Sequence, residues 1–218
     1  MRRGYVIGIL LIFCLLSTGI FADGNGNVPA VSVPQFSITS FSEAGEQASP
    51  ATYLNDTVSL NLLTGWNFIS TPDVLAEGHN TMGIFSGVNS SGHSIFAYNG
   101  SSSSWSSMKV EDLFYPLYGL WIYSIAPADI PLVSDNVTIP PRTLVQGWNG
   151  IGIGSPDRIA GSALAPLESH WSYLVGYNRS VQQYTEPLVA GDPAVNKTTL
   201  HTKEGFWIYM KENGTYSG

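Results

Sequence analysis

The stretch Leu63-Thr64-Gly65-Trp66-Asn67-Phe68-Ile69-Ser70 constrains the fold more than any other, because the chain carries it twice. Leu144-Val145-Gln146-Gly147-Trp148-Asn149-Gly150-Ile151-Gly152 is the second copy, and each copy opens a longer series in the same order. Thr71-Pro72-Asp73 matches Ser155-Pro156-Asp157, and Ile95-Phe96-Ala97-Tyr98-Asn99 matches Leu174-Val175-Gly176-Tyr177-Asn178. An aromatic stands seven positions past each tyrosine, Trp105 and Tyr184. Gly119-Leu120-Trp121-Ile122-Tyr123 and Gly205-Phe206-Trp207-Ile208-Tyr209 close the series. Trp66 and Trp148 are 82 residues apart, Trp121 and Trp207 86 apart. Landmarks in one order with small length differences indicate an internal duplication.

The repeated segments read as strands. Val58, Leu60 and Leu62 alternate with polar neighbours, the period of a half-buried strand. Gly65 marks a turn or bulge before Trp66. Ser94–Tyr98 and the run around Trp105 flank Asn99-Gly100, a hairpin signal. Gly119–Ile125 is dense in aromatic and β-branched residues. Met82–Val88 and Ala163–Leu167 are weakly helical, interrupted by Gly83 and Pro166. Pro72 and Pro156 stand where a helix-start proline would, so Asp73 and Asp157 read as first-turn complements to a helix dipole. The link 126–142 carries four prolines and two candidate short strands, Leu132-Val133 and Val137–Ile139; its apolar content predicts that the two units dock. The expected fold is all-β with minor helix: two homologous antiparallel β repeats, sandwich- or barrel-like, packed together behind a signal peptide and a flexible tether. The boundaries are 1–22 for the leader, 23–54 for the Ser/Gly/Pro/Asn-rich tether, 55–134 for the first repeat and 135–218 for the second.

Residues 1–22 have the layout of a secretory signal: Arg2 and Arg3, an apolar run from Val6 to Leu16, and Ile20-Phe21-Ala22 before the cut. The run is short for a membrane span, and no transmembrane anchor is expected after cleavage. Cys14 is the one cysteine and lies in this leader, so disulfides and cysteine chemistry are not expected in the mature chain. Charged residues are only 11% and the net charge is −7. An acidic chain without basic clusters argues against nucleic acid as a partner. Seven Asn-x-Ser/Thr sequons, at Asn55, Asn89, Asn99, Asn136, Asn178, Asn196 and Asn213, are candidate glycosylation sites in surface loops. Asn55 with Asn136, and Asn99 with Asn178, hold equivalent positions in the duplication.

The series Gly-Trp-Asn, then Tyr-Asn, then Gly-x-Trp-Ile-Tyr resembles a repeat common in secreted and cell-surface proteins of archaea, notably methanogens, and of some bacteria. There the copies are often tandem and joined to surface-layer or adhesive modules. The resemblance covers about 55–218, and Gly150-Ile151-Gly152-Ile153-Gly154 departs from the usual apolar run. It implies a location and a β architecture, and carries over no active residue.

Trp66, Trp121, Trp148 and Trp207 read as repeated core, since a small β unit needs large rings to bury enough area. The less repeated aromatics Trp105, Tyr115, Tyr118, Trp171 and Tyr184 are the candidates for stacking on sugar rings. Asn67 and Asn149 are expected to satisfy nearby backbone groups. His79, His93, His170 and His201 share no spacing, so neither a metal site nor a cofactor is expected. No Gly-x-Ser-x-Gly elbow accompanies Glu168, Ser169 and His170. The expected function is that of a non-catalytic secreted surface protein, structural or adhesive within a cell envelope. Its partners would be other envelope proteins or glycans, or further copies of itself. An extracellular carbohydrate-binding module is the alternative, and a secreted hydrolase the remote one.

Overall fold

The computed structural model describes residues 56–167 and 169–218, and these are almost wholly strand and turn. In the first half, β1 (Thr57–Leu62) pairs antiparallel with β6 (Ala128–Val133). β2 (Gly65–Ile69), β5 (Leu120–Ser124), β3 (Ile95–Asn99) and β4 (Ser104–Met108) form a sheet in the order β2-β5-β3-β4. The second half holds β7 (Arg142–Leu144), β8 (Gly147–Ile151), β9 (Arg158–Ile159), β10 (Trp171–Asn178), β11 (Gln183–Tyr184), β12 (Leu188–Val189), β13 (Thr199–Leu200), β14 (Phe206–Met210) and β15 (Gly214–Tyr216). Its main sheet runs β11-β10-β14-β8, with β12 beside β10; β15 pairs with β7 and β13 with β9. The one α-helix among the described residues is the single turn α1 (Ala160–Ala163). No described helix is long and apolar enough to cross a membrane.

Four pairings of the first half recur in the second with the same register. Trp66 lies opposite Tyr123 as Trp148 lies opposite Tyr209. Phe96 faces Trp121 as Val175 faces Trp207. Tyr98 faces Trp105 as Tyr177 faces Tyr184. The β1–β6 ladder corresponds to β7–β15. The opening turns match as well. Gly65 and Gly147 take φ of +97° and +96°, which a side chain would strain. Asn67 accepts from Leu63 N–H at 2.8 Å and donates to Leu63 O and Gly65 O; Asn149 does the same for Val145 and Gly147. Both amides are buried, so each satisfies the backbone of a bend that ladder bonds do not reach.

Strand alternation sends one face of each sheet into its own apolar core. Leu60, Leu62, Ile69, Ile122 and Leu132 belong to the first, and Leu144, Ile151, Leu174, Ile208 and Met210 to the second. Between them the opposite faces meet in an aromatic seam. Trp121 packs edge-on against Tyr177 and Tyr184 of the second half. Trp207 packs edge-on against Tyr98 and Trp105 of the first. The backbone exchange is equally reciprocal: Ile69 bridges Glu204 and Tyr118 bridges Ile151, while Gly205 N–H donates to Phe68 O and Gly119 N–H to Gly150 O. Arg142 ties the second crossing together, donating to Leu117 O and Gly150 O at 2.8 and 3.1 Å beneath the Tyr118 ring. Burial pulls its pKa down to about 10, with Tyr118 and Tyr216 opposing that.

The Pro-rich link differs from its sequence reading. Leu132-Val133 extends into the six-residue β6, and 137–139 has no regular structure. β6 pairs on one side only, so Pro131 sits in it without costing a ladder bond. Asp73 and Asp157 do not start helices: β9 follows Asp157, and α1 has Ile159 at its N-cap with no side-chain cap.

The two halves differ most at Phe68 and Gly150. Phe68 stacks on Trp121, centroids 4.6 Å apart and planes within 7°, and also meets Trp207 at 5.2 Å. A β-carbon on Gly150 would stand 3.6 Å from the Phe68 ring and 3.8 Å from Trp207, leaving no room for a second ring. Phe68→Ala should therefore lower stability by about 3–5 kcal/mol through the cavity it leaves. Gly150→Phe should destabilise by overpacking, and Phe68→Ala combined with Gly150→Phe should be less damaging than the two single losses summed. Thermal unfolding followed by circular dichroism closes this double-mutant cycle.

Candidate functional site

The structure sorts the aromatics by what covers them. Trp121 and Trp207 are 3% exposed and lie in the seam. Trp66 and Trp148 are half-buried, each edge-on to its partner tyrosine, Tyr123 at 5.3 Å and Tyr209 at 5.2 Å. Tyr173 continues the second row, 6.3 Å from Tyr209, so Trp148, Tyr209 and Tyr173 stand side by side on three strands. In the first half His93 takes the third place, near both Trp66 and Tyr123.

The five sugar-stacking candidates do not gather into one site. Trp171 is 4% exposed inside the second apolar core, so it offers no ring to a ligand. The sequence reading missed this because a bulge between Trp171 and Tyr173 shifts the strand's facing. Trp105 and Tyr184 are half-buried and clasp the seam tryptophans. Burial pushes the Tyr184 hydroxyl up to about 12, the Trp207 indole opposing it. Tyr115 and Tyr118 are exposed neighbours, 6.1 Å apart, but one face of Tyr118 is taken by Arg142.

The sequon asparagines are uniformly outside. Asn89, Asn99, Asn136, Asn178, Asn196 and Asn213 are all exposed; Asn55 lies outside the described residues, as do the leader and the whole of the tether. Asn99 and Asn178 sit at matching hairpin tips, their Oδ1 atoms accepting from Ser101 and Ser180 N–H. No group of three or more His, Cys, Asp or Glu among the described residues is placed to hold a metal.

A groove of about 560 Å³ lies beside β10. Gly176 lies in its wall, where a β-carbon would stand 3.3 Å from Thr185 Oγ1 and 3.5 Å from the Phe206 ring. Half-buried Leu63, Tyr177 and Leu188 supply apolar surface, with the buried Leu174, Leu200 and Phe206 behind them, while Arg179, Thr199 and Glu204 supply polar groups. One end is held by a lock that the sequence did not reveal. Asp157 accepts from Thr202 N–H and Oγ1 and meets His201 Nδ1 at 2.7 Å. Burial alone would raise the Asp157 pKa; the His201 ring and the two Thr202 donors outweigh it and hold the carboxyl below its ordinary value. Arg179 donates to Asn61 O, and Gln182 crosses to the first half, accepting from Trp66 N–H at 2.7 Å and donating to Trp66 O at 3.0 Å. Gln182 imitates a paired strand on the free edge of β2. Its neighbours gave no pattern from which that role could be read.

Comparison with family models, curated proteins and solved structures finds no match to this chain.

Trp105→Ala should lower the melting temperature, since it opens the seam by a large ring at a cost of up to about 3–5 kcal/mol. Tyr115→Ala should shift stability by no more than about 0.5 kcal/mol, as surface changes do. The Asp157 lock carries a pH signature. A depressed carboxyl contributes stability that is present above its unfolded pKa and lost as pH falls through its folded one. Melting curves of the parent and Asp157→Asn should therefore differ at neutral pH and converge as pH drops below the ordinary carboxylate range.

Proposed function

We propose that the chain is a non-catalytic protein of the cell surface, a structural or adhesive component of a cell envelope, built from two copies of one β repeat and glycosylated on its exposed asparagines. The observation that carries this reading is the exposure of all six described sequon asparagines. Two of them cap matching hairpins with Oδ1. The matched registers of the two halves support the two-copy origin, and the leader pattern in 1–22 supports export. The resemblance to tandem archaeal surface repeats supplies the envelope setting. In this reading the seam aromatics serve cohesion, and the partners are neighbouring envelope proteins, glycans or further copies of the chain. A second reading, an extracellular carbohydrate-binding module, draws on the half-buried row Trp148, Tyr209 and Tyr173.

Expression with the leader in a glycosylating archaeal host tests the proposal. Glycopeptide mass spectrometry should find modification at Asn89, Asn99 and Asn178, and protease added to intact cells should remove the chain. Unmodified protein retained inside the cells would overturn it.

A further inference from the structure

The groove beside β10 holds a feature that neither the seam nor the glycosylation sites explain. Glu204 is half-buried, yet its carboxylate makes no hydrogen bond and no ion pair among the described residues. Its backbone is held at the crossing of the two halves, facing Ile69. Protein carboxylates removed from water are ordinarily paired. This one instead lines an open concavity of about 560 Å³, within the range of roughly 300–1,000 Å³ typical of small-ligand sites.

We propose that this groove is a binding site for a neutral, hydroxyl-rich ligand, one or two sugar rings in size, anchored by hydroxyl donors to the Glu204 carboxylate. The lining selects that chemistry by elimination. An anion would meet Glu204 and Glu186 together. A cation would meet the Arg179 guanidinium at the same rim. A purely apolar ligand would cover the half-buried Leu63 and Leu188 but strip water from the carboxylate without replacing it. A sugar ring presents both surfaces at once, C–H bonds for the apolar wall and hydroxyls for Glu204, Thr199 and Ser180. The carboxyl pKa is raised, burial being the largest cause, with His201 and Arg179 pulling back and Asp157 adding to the rise. A raised carboxyl contributes stability that is present below its unfolded pKa and lost as pH rises through the folded one. At neutral pH the charged group is thus a cost to folding that a bound donor would offset.

The inference gives the adhesive reading a ligand class, and the two fail separately: surface display is read on cells, sugar binding on the purified chain. Asn178 stands at the rim, so the test uses full chain made in a host without N-glycosylation. Glucose, galactose, mannose, N-acetylglucosamine, maltose and cellobiose are titrated by saturation-transfer NMR at neutral pH. At least one should bind with a Kd of about 1 mM or tighter. Glu204→Gln should weaken that binding about tenfold or more, because a charge-assisted hydrogen bond is lost, while its melting temperature stays equal or rises. Thr199→Trp, which fills the groove from an exposed strand position, should abolish binding with the fold intact by circular dichroism. Absence of binding by every sugar at about 10 mM overturns the proposal. So does binding that survives both substitutions, or preference for glucosamine or spermidine over the neutral sugars.

Discussion

The two halves are held in one compact unit by a ring that only one of them supplies. Phe68 lies flat on Trp121 and tilted against Trp207, the offset arrangement that aromatic quadrupoles favour. Around it the backbone must come close. β-Carbons added to Gly119 and Gly205 would stand 2.6 and 2.5 Å from the Phe68 ring, so both closing motifs begin with glycine for the same reason. Gly152 faces Ser70 at a distance no side chain tolerates, 1.8 Å from a built β-carbon to Oγ. Gly150 and Gly152 are the complement of Phe68 and Ser70, and they lie where the two halves cross; Gly154 makes room instead for Ile139.

This arrangement decides what the other aromatics do. Each closing tryptophan is clasped by the tyrosine and the following aromatic of the opposite half. A half separated from its partner would expose that tryptophan and lose the clasp. Cross-half hydrogen bonds add direction to the apolar contact. Gln182 reaches the edge of β2 with its side chain, whereas the matching hairpin of the first half brings Gly100 against Trp148 O. Ser103 and Gln182, at equivalent places, both adopt left-handed backbone, φ +50° and +56°. The hairpin geometry is shared, and the contact it makes is not.

Much of this was legible in the sequence because strand pairing follows the repeated motifs. The landmarks Trp66, Tyr98, Trp105 and Trp121 correspond to ladder positions, and the asparagines of Gly-Trp-Asn satisfy local backbone as expected. What stayed hidden depended on facing and on non-local contact. Trp171 went inward because a one-residue irregularity in β10 inverts a period-two pattern. Asp73 and Asp157 follow a proline that suggested a helix start, yet Asp157 binds Thr202 across the fold. Arg142, Gln182 and Glu204 carry no motif. Their importance arises from the residues brought opposite them, which no spacing encodes.

The candidate groove lies where the two halves differ. The position of Glu204 in the second half corresponds to Tyr118 in the first, and that of Leu60 in the first to Arg142 in the second. In the first pair of places a tyrosine ring is covered by a guanidinium; in the other a carboxylate is left facing an open wall. Lys203, opposite Leu117 in the correspondence, reaches across to Ser59 O, while Leu117 fills the second core. The shared positions are constrained by the seam, where any change meets a packed ring or a glycine contact. Positions just outside it, such as Tyr118 and Glu204, differ in charge between the halves. The groove is bordered by matched positions, Leu174, Tyr177 and Asn178, as well as by Glu204, so what distinguishes the halves there is the charge set on the shared framework rather than the framework itself.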